Sequence, residues 1–170
     1  MAEHETDAQG LAREAIALLT ERGETLATAE SLTGGLVCGV LTSIPGASVV
    51  VRGGVVSYAV EVKAVALGVD TALLARVGAV DPAVAVAMAE GARQVLGATY
   101  AVATTGAAGP DPAPGGAETG PVPAGRGFVA VCGPRADAVQ GFAVDGQGRD
   151  GVRAAAVHAA LALLVRELRT

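Results

Sequence analysis

Two side chains in this sequence have the chemistry of a nucleophile and its base: Ser31, within Ala29-Glu30-Ser31-Leu32-Thr33-Gly34-Gly35, and Lys63. A serine hydroxyl attacks an acyl carbon efficiently only when a neighbouring base takes its proton. Neither histidine suits that task, because His4 falls in an expected tail and His158 in the middle of a helical pattern, so no Ser-His-Asp arrangement is available. A lysine serves once it is desolvated, since burial disfavours the ammonium form. Lys63 is the single lysine in a chain with eleven arginines, which hold their protons near neutral pH. Tyr58, five residues earlier, could relay a proton or hold the amine. Plainer readings stand beside these: Ser31 or Thr33 as a helix cap, Lys63 as a solvated charge, Tyr58 as a packed ring.

The same stretches could bind an anion. An apolar run that turns polar at Glu30 and becomes apolar again from Leu36 reads as a strand, a tight turn and a helix. N–H groups near Thr33, Gly34 and Gly35 would then point outward, towards an anion or a developing oxyanion. Thr105-Gly106-Ala107-Ala108-Gly109-Pro110 could present further N–H groups to a phosphate. Arg149 and Arg153, spaced i, i+4, either clamp that anion or stand in solvent.

Patterning supplies the elements that must carry these residues. Leu11, Ala15, Leu18 and Leu19 predict an amphipathic helix over 7–22, preceded by a flexible tail over 1–6. A strand is expected at 25–29, a helix at 33–43, a turn at 44–48, and a strand interrupted by Gly53-Gly54 from Val49 to Tyr58. Helical pattern resumes at Ala59 and closes at Gly68; Asp70 caps a short helix over 71–77. Asp81-Pro82 opens a longer helix with Val84, Ala87, Met88, Gly91 and Val95 on one face. After a strand at 99–104 comes a Pro/Gly-rich stretch to about Gly125, of a length that is usually functional or mobile. A hairpin over 128–144 and a last helix from Arg149 complete the chain. Strands alternating with helices, plus one hairpin, predict a single α/β domain over 7–170: a three-layer α/β/α sandwich with a mixed sheet.

Composition narrows the function classes. A chain of 170 residues suits one domain, and its net charge of −5 with two tyrosines argues against nucleic-acid binding. No apolar run is long enough to cross a bilayer, and the polar start does not resemble a signal peptide, so no membrane association is expected. Cys38 and Cys132, far apart and outside any C-x-x-C, read as buried thiols of a cytoplasmic protein. No His/carboxylate cluster suggests a metal.

Taken together, these residues resemble the CinA C-terminal domain family, whose stand-alone members include nicotinamide mononucleotide deamidases. The matching pieces are Ala29-Glu30-Ser31-x-Thr33-Gly34-Gly35, Tyr58 with Lys63, Gly78-Ala79-Val80, Thr105-Gly106-x-Ala108-Gly109-Pro110, and Gly148-Arg149-Asp150-x-Val152-Arg153. The resemblance implies hydrolysis of the carboxamide of nicotinamide mononucleotide, without metal or cofactor. It implies Ser31 as nucleophile, Lys63 as base and Tyr58 in support. Glu30, Thr33, Gly34, Gly35, Ser48, Thr105, Gly106, Gly109 and Arg149 would serve the substrate. A homo-oligomer, with a dimer favoured, is also expected from the family. Two departures matter. Val60 stands where active members carry Asn, and the stretch after Pro110 lacks the family's K-P-V-G-T. They motivate a second reading, a nucleotide-binding module without catalysis. The Ala-rich helices suggest a third, an assembly domain.

Overall fold

The computed structural model describes residues 2–135 and 137–170, with the side chains of residues 2–6 outside that set. Along the chain run α1 (Ala2–Arg22), β1 (Leu26–Glu30), α2 (Leu36–Thr42), β2 (Val51–Val56), α3 (Val60–Leu67), α4 (Thr71–Val77), α5 (Pro82–Val95), β3 (Tyr100–Ala107), β4 (Arg126–Cys132), β5 (Asp137–Ala143) and α6 (Gly148–Arg169). The tail expected over 1–6 concerns Met1 and side chains outside the described set; α1 itself begins at Ala2.

Strand alternation decides the layers, because successive side chains point to opposite faces. Leu26, Tyr100, Val102, Val129 and Val131 face α1, α2 and α6. Ala27, Ala29, Ala101, Ala103 and Ala130 face α5, whose Val84, Ala85, Met88 and Ala92 close the second core. The sheet order is β2-β1-β3-β4-β5, with β1 parallel to β2 and β3 and the β3-β4-β5 pairs antiparallel. The result is a three-layer α/β/α domain on a mixed sheet. Small side chains on the α5 face let helices approach closely. A Cβ on Gly91 would land on the Leu67 main-chain carbonyl of α3. Gly91→Ala is therefore expected to cost about 1–3 kcal/mol, read by urea denaturation.

Three expectations shift. Gly34 and Gly35 take φ of 61° and 99°, so residues 31–35 form a turn and the helix begins at Leu36, not at residue 33. Val49 belongs to a 3-10 turn, Ala47–Val49, rather than to the strand. Val95, the last residue of α5, is 61% exposed rather than packed, while Leu96 directly after it turns to the core. The stretch after Pro110 is docked: the Ala117 and Glu118 N–H groups and the Thr119 hydroxyl donate to Ala75 O, Arg76 O and Val77 O. Those are last-turn carbonyls of α4, which the helix itself leaves unpaired.

Candidate active site

Because β1, β2 and β3 run in parallel, their carboxyl ends open on one edge of the sheet. Strand order reverses around β1 there, the usual place for a crevice in open α/β folds. A cleft of about 430 Å³ lies at that edge, and Ser31, Tyr58, Lys63, Thr105, Gly106, Gly109 and Arg149 all line it. Residues from the ends of three strands, from α3 and from the first turn of α6 thus meet.

Lys63 is the buried centre of the cleft, 1% exposed on an eight-residue helix. Its Nζ lies 3.0 Å from Ser31 Oγ, 2.6 Å from Ser57 O and 3.4 Å from Tyr58 O. With two carbonyls taking N–H donors, the remaining position of the amine faces the serine: a third N–H when charged, a lone pair when neutral. Burial pulls the Lys63 pKa down to about 8, against a smaller upward pull from Glu61. Ser31 is 8% exposed, and its N–H donates to Thr104 O, which ties the turn to β3. Among the described residues no recorded hydrogen bond occupies the Leu32 and Thr33 N–H groups, which directly follow the hydroxyl.

Several expected site residues have other work. Glu30 is not in the cleft. Its carboxylate, 1% exposed, accepts from the Gly35, Val37 and Cys38 N–H groups and the Thr28 and Thr33 hydroxyls, closing the start of α2. Thr33 is fully buried, sharing a 2.7 Å hydrogen bond with Thr104. The Gly35 N–H is thereby taken, and the Gly34 N–H donates to Ser31 O, so neither is free for an anion. Ser48 is exposed in the 3-10 turn before β2, at the opposite end of that strand from the cleft. The Tyr58 phenol accepts from Arg149 Nη2 at 2.7 Å; only its carbonyl approaches the amine. Arg149 also donates to Gly109 O at 2.7 Å, and the Thr105 hydroxyl donates to Ala79 O.

Other features escape pattern reading. The Ser57 carbonyl leaves no trace in side-chain types, and Val80, Asp111 and Pro114 reach the cleft from loops. Arg153 parts from Arg149 and turns to the Leu32 and Thr33 carbonyls; their i, i+4 spacing was the available signal. His158 pairs with Asp7 at 2.6 Å, between α6 and α1. Burial pushes the Cys132 thiol up to about 12 and raises that of Cys38, which leaves both poor nucleophiles. Among the described residues, no group of His, Cys, Asp and Glu is placed to hold a metal ion, and no helix is long and apolar enough to cross a membrane.

A single α/β domain on a five-stranded mixed sheet is also what comparison with known proteins leads to. The family model described as the CinA C-terminal domain matches residues 8–168, and the chain belongs to that family. A CinA-like protein of Frankia casuarinae is 50% identical over 153 residues, which are 90% of this chain and 34% of that protein. One of Gloeobacter violaceus is 42% identical over 163 residues, 95% of this chain and 37% of that protein. The chain thus spans about a third of the length of these curated relatives. Among solved structures, the competence/damage inducible protein CihA from Agrobacterium tumefaciens superposes with a TM-score of 0.87 at 39% identity, covering 96% of each chain. A CinA superfamily protein from Escherichia coli gives 0.87 at 31%, covering 95% of this chain and 91% of that one.

Proposed function

We propose that this chain is an amidohydrolase that converts nicotinamide mononucleotide to nicotinate mononucleotide and ammonia. The observation that carries the reading is the 3.0 Å contact between the buried Lys63 amine and the Ser31 hydroxyl. The substrate comes from the resemblance to the deamidases of the family. In the first step neutral Lys63 takes the Ser31 proton as Oγ bonds to the carboxamide carbon. Lys63 then hands that proton to the departing nitrogen; the C–N bond breaks, ammonia leaves and a nicotinoyl ester remains on Ser31. Water attacks the ester, Lys63 takes one of its protons and passes it to Ser31 Oγ as the ester C–O bond breaks, and the acid product gives its remaining proton to solvent and leaves as the carboxylate.

The oxyanion donors in this mechanism are the Leu32 and Thr33 N–H groups, in place of those of Gly34 and Gly35. An N–H directly after the nucleophile is the usual position for such a donor. Arg149, at the cleft rim beside the 105–109 loop, takes the phosphate. Exposed Val62 and Val65 on α3 suit the homo-oligomer, a dimer by preference, that belongs to the same proposal; light scattering tests it.

A coupled ammonia assay across nicotinamide, its riboside, its mononucleotide and the dinucleotide tests the reaction. Turnover is expected with the mononucleotide, and Arg149→Ala is expected to raise KM for it about tenfold or more while leaving the phosphate-free riboside unaffected. No ammonia from any of the four overturns the reading. One observation favours a binding module instead. Val60 puts a hydrocarbon on the cleft wall where active members carry an amide. That alternative expects calorimetric binding of the mononucleotide with no conversion, and measurable turnover rejects it.

A further inference from the structure

Most main-chain polar groups of the Ser31–Gly35 turn are engaged, and the exceptions are informative. The Ser31 N–H donates to Thr104 O, the Gly34 N–H to Ser31 O at 3.1 Å, and the Gly35 N–H to Glu30. The Leu32 and Thr33 carbonyls accept from one side chain on α6, Arg153 Nε at 3.0 Å and Nη2 at 3.1 Å, and Thr33 O takes the Leu36 N–H as well at 3.2 Å. What remains without a partner, among the described residues, is the N–H of Leu32, the N–H of Thr33 and the carbonyl of the exposed Gly34.

The Leu32–Thr33 peptide is trans, so its C=O and N–H point in opposite directions. Fixing the Leu32 carbonyl therefore fixes the Thr33 N–H. Gly34 and Gly35 are conformationally permissive, and although the Gly34 and Leu36 N–H groups close the turn on Ser31 O and Thr33 O, nothing within it fixes the Leu32 carbonyl. A planar guanidinium that spans two successive carbonyls supplies it, and its charge polarises both peptides. Arg153 does not line the cleft.

We infer that Arg153 is a positioning residue for the Ser31 chemistry: by bridging Leu32 O and Thr33 O from α6, it fixes the Thr33 N–H directly and, through the Thr33–Gly34 peptide whose N–H donates to Ser31 O, the Leu32 N–H, so that both stand as donors to the charge that develops when Ser31 attacks. This rests on Ser31 and Lys63 acting as nucleophile and base, and goes beyond it by assigning the group that organises the oxyanion donors.

The experiment measures labelling of Ser31 by an alkyl fluorophosphonate, followed by mass spectrometry across pH. The probe needs no amide substrate. Ser31 Oγ bonds to phosphorus, the P–F bond breaks, fluoride leaves and the serine proton passes to Lys63. Arg153→Lys keeps the charge but loses the two-pronged bridge. It is expected to label at least about tenfold more slowly than wild type, with the same pH midpoint and a melting temperature close to wild type. Arg153→Ala is the second arm: its labelling is slow, and guanidinium ion at millimolar concentration restores it. Equal labelling rates in wild type and both variants overturn the inference. So does a slow variant whose melting temperature has fallen in step and which guanidinium does not rescue. Labelling that follows the expected pattern with no ammonia from any amide sinks the deamidase reading and leaves the Arg153 role standing. Absence of Ser31 labelling in wild type overturns both.

Discussion

Lys63→Met is expected to slow turnover by on the order of 10³-fold and to abolish its pH dependence, with the protein still folded. Methionine matches the length of the stem and tolerates the buried site, but it has no lone pair to take the Ser31 proton. The wild-type profile follows from the depressed amine. Below its pKa of about 8, Lys63 carries its proton and cannot act as base, so kcat/KM rises with pH through a midpoint near 8 and then levels off. A midpoint at the ordinary lysine value of 10.5 would mean that the amine is solvated, and the mechanism would fail. Stability carries the same signature. Between about pH 8 and 10.5 the unfolded chain still holds a proton that the native lysine has released, so stability rises with pH across that window. Lys63→Met flattens that rise. Ser31→Ala should match Lys63→Met in activity, and the double variant should lose little more than either, because the two groups act as one unit.

Glu30→Gln is expected to cost about 3 kcal/mol of stability, which for a domain of this size is on the order of a 10 °C fall in Tm. One carboxylate oxygen accepts from the Gly35 and Val37 N–H groups and the Thr33 hydroxyl, and the other from the Cys38 N–H and the Thr28 hydroxyl. An amide supplies a single acceptor oxygen. Its NH₂ must face a main-chain N–H, so a buried donor meets a donor and one helix-start group goes unpaired. Urea denaturation measures the loss. A change confined to KM, with stability intact, would instead return Glu30 to the substrate-binding set. The same variant should slow Ser31 chemistry modestly, since the turn that bears the hydroxyl is strung between Glu30 on one side and Arg153 on the other.

What the sequence by itself determined was most of what local chemistry governs. Asp70 and Asp81 accept from the N–H two residues on, as their positions ahead of short apolar helices predict. Strands alternating with helices, and the breaks at Gly68 and Gly78, predicted the α/β sandwich, and one lysine among eleven arginines singled out Lys63 as the candidate base. Tertiary structure decided the rest, for a single physical reason. A polar side chain near a strand end has several unpaired groups within reach, and which one it satisfies depends on what packing brings close. Glu30 looked like a substrate ligand, yet the N–H groups of α2 fold back within 3.0 Å of it and leave it no free acceptor facing the cleft. Tyr58 stood five residues from Lys63, but α6 delivered Arg149 to its phenol. Arg149 and Arg153 share a helix face and differ by one turn; that turn puts one on the cleft wall and the other behind the Ser31 turn.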